Sequence, residues 1–148
     1  MDRITNFVAA SHQFPHNDII IHLETATTFD ILSCERIYLG AIITASIGLS
    51  MKVLNENTAK LPLVPIVQPE NILGQTTVAN IQASLFYGNL GAIREIIQPV
   101  QTDVFKNKDV MVIGTGEFAH LFEKKNIFTL TIPDLVLQGL LFVLRKSL

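Results

Sequence analysis

The sequence predicts an α/β domain, and three observations carry that reading. Runs of β-branched residues crowd into positions 19–44, long segments of helical spacing follow at 46–61 and 76–97, and strand and helix patterns then alternate to the end of the chain. The early strands are joined by short links, which predicts a three-stranded antiparallel meander followed by alternating helices and strands.

Taken in order, Ile4–Phe14 reads as a short helix with Ile4, Phe7 and Val8 on one face, broken by Pro15-His16-Asn17-Asp18. Ile19–Leu23 is a buried strand by its β-branched run, Thr27–Ser33 an alternating strand, Cys34-Glu35-Arg36 a tight connection and Ile37–Thr44 a third strand. Ser46–Leu61 places Ile47, Met51, Leu54 and Leu61 at helical spacing, and Pro62–Pro69 is extended. Thr76–Ile97 is the longest helix, closed by Pro99. Gly88 and Gly91 inside it each cost about 1 kcal/mol, so they are expected to permit close approach by another helix. Val110–Ile113 is a buried strand before Gly114-Thr115-Gly116, a helix runs through Leu121, and Phe128–Ile132 is a short strand. Pro133-Asp134 opens a final helix, with Leu137, Leu140, Leu141 and Leu144 expected to face inward. Asp134 and Arg145-Lys146 suit the two ends of its dipole.

The 148 residues suffice for one domain with a core. Charged residues make up 16% and apolar residues 49%, against about 25% charged in an ordinary soluble domain. That balance predicts apolar surface buried against a partner. A net charge of −2 gives no basic field for nucleic acid. The single Cys34 excludes an internal disulfide and fits a reducing compartment. Met1-Asp2-Arg3-Ile4-Thr5-Asn6 has no apolar signal core, and Leu135–Leu144 is interrupted by Gln138-Gly139 and falls short of the roughly 20 residues of a membrane span. The expected location is the cytoplasm, with no membrane partner.

Several stretches carry chemistry together: Asp2-Arg3-Ile4-Thr5-Asn6, Thr25-Ala26-Thr27-Thr28-Phe29-Asp30, Ile47-Gly48-Leu49-Ser50, Thr58-Ala59-Lys60-Leu61-Pro62, Gly74-Gln75-Thr76-Thr77 and Thr115-Gly116. Their order and spacing resemble the second half of a type III pantothenate kinase, the bacterial enzymes that begin coenzyme A synthesis. The resemblance runs from Asp2 nearly to the last residue. It implies an actin-like ATPase (ribonuclease H-like) fold, equivalent over residues 1–148 to the C-terminal half of such an enzyme.

Asp2-Arg3 resembles the end of the family's Gly-any-Asp-Arg motif, although Met1 precedes Asp2 and the glycine is absent. The resemblance makes Asp2 the catalytic base toward the attacking hydroxyl and Arg3 the partner of the pantothenate carboxylate. On the residues alone, Asp2 reads as a cap of the first helix. The resemblance makes Thr77 substrate-binding, at a helix N-terminus whose exposed amides suit an anion; ordinary capping by Thr76 or Thr77 is the alternative. It makes Thr25 nucleotide-binding, the alternative being a β-turn threonine. His22 stands where the family has the aspartate that touches a monovalent cation, and imidazole is a poor substitute for a hard oxygen ligand, so no metal ligand is assigned there. Glu24 stands where the family has a glycine that lets phosphate approach, and a carboxylate repels phosphate. Ser46 and Glu117 replace two further glycines, although Ser46 can still cap a helix. His12, His16 and His120 lack metal-ligand spacing, and Cys34 has no basic neighbour to activate it.

The family's Asp-any-Gly-Asn-Thr phosphate loop belongs to its first half and does not occur in this sequence. The resemblance therefore implies a subunit of a two-chain pantothenate kinase, using ATP and Mg²⁺ when assembled with a chain carrying the N-terminal half, and forming a dimer or heteromer. The alternatives are a non-catalytic pseudokinase or regulatory subunit, which the four altered positions favour, and a pantothenate-binding module without chemistry.

Overall fold

The computed structural model describes Thr5 and residues 15–147. The helix expected over Ile4–Phe14 lies outside these apart from Thr5, which is helical and buried. Asp2, Arg3 and His12 also lie outside them.

Ile19, Ile20 and Ile21 are fully buried. A run apolar on both faces needs cover on both faces, and it forms the middle strand of the sheet. This strand, β1 (Asn17–Leu23), pairs antiparallel with β2 (Ala26–Leu32) on one side and parallel with β4 (Val110–Thr115) on the other. Strand β3 (Tyr38–Ala45) pairs antiparallel with β2, and β5 (Leu130–Thr131) pairs parallel with β4. The five-stranded mixed sheet has the order β3-β2-β1-β4-β5.

Alternation along the strands sorts two apolar layers. Ile19, Ile21, Leu23, Phe29 and Ile31 join Met51, Leu85, Phe86, Leu90 and Ile93, contributed by helices α1 (Ile47–Glu56) and α2 (Thr77–Pro99). On the opposite face Ile20, Leu32 and Ile113 pack with Leu135 of helix α3 (Leu135–Ser147). That second face also carries Asp18 and Asp30, which are 1% and 0% exposed. The Tyr38 hydroxyl donates to Asp30 Oδ1 at 3.2 Å. Asp18 Oδ1 has no hydrogen-bond partner among the described residues, and burial raises its carboxyl from 3.8 to about 7.

Several boundaries differ from the sequence reading for identifiable reasons. Helix α1 stops at Glu56 rather than reaching Leu61. Asn57 and Thr58 donate their side chains to the carbonyls of Val53 and Leu54, taking up the groups that a further turn would use. Pro99 is the last residue of α2, as expected, but the chain does not leave the helical path there and continues as a π-helical turn over Val100–Val104. Proline has no N–H to give its own intrahelical bond, and the widened turn is closed by Phe105 N–H donating to the Val100 carbonyl at 3.1 Å. This inserts Val100 and Phe105 into the main core. Gly88 and Gly91 face open space rather than a closely packed helix, since a Cβ at either would meet nothing within 4 Å.

The expected helix through Leu121 is a 3-10 helix, Ala119–Lys125, and the last strand shrinks to Leu130–Thr131. Helix α3 turns a different side inward from the one its leucines suggest. Leu137, Leu141 and Leu144 are 60%, 55% and 60% exposed, while Leu135 and Gly139 are buried. Gly139 lies so close to the Thr5 carbonyl that a Cβ there would collide with it. Backbone contact, available only to a residue with no side chain, fixes the rotation of this helix.

Strand β3 is the exposed edge. Tyr38, Leu39, Ile42 and Ile43 are all more than a third exposed, and the strand carries no charged residue. No helix among the described residues is long and apolar enough to cross a membrane.

Candidate active site

Parallel strands β1 and β4 end side by side, so the connections that leave them meet at one edge of the sheet. Open α/β sheets hold ligands at this position, beyond the carboxyl ends of their parallel strands. Here Glu24-Thr25 links β1 to β2, Ser46 links β3 to α1, and Gly116-Glu117-Phe118 follows β4. Glu24, Thr25, Ser46, Glu117 and Phe118, with Gly48, Leu49 and Lys52 of α1, line a cavity of about 280 Å³.

Hydrogen bonds lock this corner. The Ser46 hydroxyl, 1% exposed, donates to the Thr25 carbonyl at 2.8 Å and accepts from Leu49 N–H at 3.1 Å. It therefore caps α1 and ties the β1–β2 turn to that helix. Gly116 has φ +93°, and a Cβ there would lie 2.6 Å from the Leu23 carbonyl. Only glycine allows this approach, which brings Phe118 N–H to donate to the Leu23 carbonyl at 3.1 Å.

The exposed Glu24 reaches across the mouth of the cavity. Its Oε1 accepts from the backbone N–H of Glu117 at 3.3 Å and lies 3.8 Å from His22 Nε2. His22 is 8% exposed, in register with Thr28 on β2 and Thr115 on β4. Among the described residues no group of three or more His, Cys, Asp or Glu side chains could hold a metal ion.

Thr77 lies elsewhere, exposed in the first turn of α2. Its neighbour Thr76 caps the helix, accepting from Ala79 N–H at 3.2 Å. Gly74 packs so tightly on the turn that a Cβ would stand 2.5 Å from Ala79 and Asn80 backbone atoms. An open cavity of about 910 Å³ starts here, bounded by Val67, Glu70, Leu73, Gly74, Thr76 and Gln82.

The structure thus gathers Thr25, Glu24, His22, Ser46 and Glu117 at one corner, and Thr77 lies apart from it, next to Thr76 at the start of α2 but not itself lining the cavity of about 910 Å³. Asp2 and Arg3 are outside the described residues. Ser46 was legible as a cap, being a serine before an apolar helical run. Its bond to Thr25 was not, because the two are 21 residues apart. The donor role of Glu117 was also hidden, since it belongs to the backbone and leaves no mark in residue identity.

Fold and corner together define an α/β domain with a small cavity beyond the ends of its parallel strands. The sequence profile of type III pantothenate kinases matches residues 1–99. A type III pantothenate kinase of Legionella pneumophila strain Paris is 44% identical over 140 residues, covering 94% of this chain and 55% of that protein. Type III pantothenate kinase 1 of Francisella tularensis subsp. holarctica strain OSU18 is 45% identical with the same coverage. That of Elusimicrobium minutum is 38% identical, covering 99% of this chain and 57% of the relative. A crystal structure of a Baf family protein from Campylobacter jejuni superposes with a TM-score of 0.64 at 18% identity, over 99% of this chain and 63% of the other, which speaks to the fold alone. The chain belongs to the type III pantothenate kinase family, and it spans about half the length of the curated relatives it matches.

Proposed function

We propose that this chain is one subunit of a two-chain type III pantothenate kinase, in which it supplies the pantothenate-site half and a partner supplies the phosphate-loop half. The observation that carries the reading is the match to kinases of this family over 94% of the chain but 55% of theirs. In this reading the domain is the C-terminal half of an actin-like ATPase fold, and ATP with Mg²⁺ binds between the two chains. Asp2 accepts the proton of the pantothenate hydroxyl, Arg3 pairs with the pantothenate carboxylate, and Thr77 orients substrate at the start of α2. Thr25 faces the nucleotide. Divalent metal would be held by the partner and the nucleotide phosphates.

A second reading is a non-catalytic or regulatory subunit that stabilises a partner kinase. The bond from Glu117 N–H to the Glu24 carboxylate favours it, because it places an anion at the corner where phosphate would lie.

The two are separated by purifying the tagged chain gently from its own cells, weighing the assembly by native mass spectrometry and assaying it with ATP and pantothenate. A stoichiometric partner with kinase turnover supports the first reading, with Arg3→Ala raising the KM for pantothenate while leaving that for ATP little changed. A partner whose activity is untouched by Asp2→Asn and Arg3→Ala supports the second. A homo-oligomer without turnover removes the two-chain enzyme.

A further inference from the structure

We propose that Glu24 is a built-in anion plug: its carboxylate occupies the Glu117 amide that a phosphate would otherwise take, and this decides what the corner admits. The inference deepens the second reading above, the non-catalytic or regulatory subunit, and rests on its placing of an anion at the corner where phosphate would lie.

Three observations carry it. The Glu24 carboxylate is fixed by a bond to a backbone donor 93 residues away, a tertiary contact between two loops rather than a local turn. The same oxygen lies 3.8 Å from the nearly buried ring of His22, so a second group flanks the carboxylate in its place over the turn. The cavity beneath is small, about 280 Å³, and is lined by Glu24 and Glu117 together with Thr25, Ser46 and Lys52. A backbone N–H beyond the end of a parallel strand is the kind of group that binds phosphate, and here it is already satisfied by the chain's own anion. An entering phosphate must displace Glu24 and share a cavity lined by two glutamates, a repulsion that its one lysine does not offset. The plug therefore excludes polyphosphate from this corner and admits a neutral or cationic group.

The test uses the full chain, ¹⁵N-labelled, titrated with inorganic pyrophosphate while the Glu117 and Thr25 amides are followed by NMR, in wild type, Glu24→Gln and Glu24→Gly. Glu24→Gly is expected to bind pyrophosphate roughly tenfold more tightly than wild type, with the Glu117 amide shifting on titration and exchanging faster in the free protein. Glu24→Gln, which keeps the acceptor and removes the charge, is expected to fall between them. Wild type binding as tightly as Glu24→Gly, or a Glu117 amide that exchanges equally fast in both, overturns the proposal. So does a failure of all three to bind. If the glycine variant does not fold, Glu24→Gln decides, and no gain over wild type sinks the idea. Pantothenate titrated into the same samples reports on Thr77 and α2 separately. Pantothenate binding with no gain for pyrophosphate removes the plug alone, whereas the opposite pattern keeps the plug and removes the substrate assignment.

Discussion

The Ser46 hydroxyl bridges two elements with one oxygen, giving its proton to the Thr25 carbonyl at 2.8 Å and taking a hydrogen bond from Leu49 N–H at 3.1 Å. One buried side chain thus sets both the start of α1 and the position of the β1–β2 turn. Ser46→Ala is expected to lower stability by about 1–2 kcal/mol, since it removes a cap and leaves the Thr25 carbonyl without its donor. Ser46→Asp is expected to keep the cap but not the bond to Thr25. Chemical denaturation of the three proteins, with the Thr25 and Leu49 amides followed by NMR, checks this; an alanine variant as stable as wild type would refute the bridge.

Asp18 sets a pH dependence. Burial raises its carboxyl from 3.8 to about 7, so between these values the folded chain holds a proton that the unfolded chain has released. Its contribution is neutral below about pH 4, becomes increasingly unfavourable as pH rises, and is fully unfavourable above about pH 7. Asp18→Asn is expected to match wild type near pH 4 and to be more stable by roughly 1–3 kcal/mol at pH 8. Melting temperatures measured across pH 4–8 test it, and parallel curves for the two proteins would contradict the buried acid.

Gly139 is the contact point of α3 with Thr5. Gly139→Ala improves helix propensity by about 1 kcal/mol, yet its methyl would drive into the Thr5 carbonyl. A net loss of roughly 1–3 kcal/mol is expected. A gain in melting temperature would show that α3 does not pack there.

The same helix offers an internal contrast. Leu135 is fully buried and Leu141 is 55% exposed. Leu135→Ala is expected to cost about 2–5 kcal/mol, and Leu141→Ala within about 0.5 kcal/mol. Equal costs would mean that the leucine stripe read from the sequence is the inward one after all.

The strands were legible because burial on both faces of β1 demands the unbroken run Ile19-Ile20-Ile21, a pattern few other structures require. The start of α2 was legible from Thr76, a capping residue placed before an apolar period. The rotation of α3 was not legible, because its leucine stripe is the stronger periodic signal and the glycine that wins does so through backbone contact. The path through Pro99 was hidden for a similar reason: proline's usual effect is to end a helix, and only the burial of Val100 and Phe105 makes the wider turn worth forming. At the corner, the altered residues His22, Glu24, Ser46 and Glu117 were visible one by one. Their mutual contacts join four loops and strands and depend on the sheet order, which local pattern does not encode.

Strand β3 bears on how the isolated chain behaves in a test tube. Proteins protect an edge with lysine, proline or a bulge; Tyr38–Ala45 has one irregularity at Leu39, where its register against β2 shifts, but no charge, no proline and a row of exposed isoleucine and leucine side chains. Turbidity is therefore expected to grow with concentration and storage time even where the fold is intact, and a single lysine placed at Ile43 would clear the solution without touching the ligand corner.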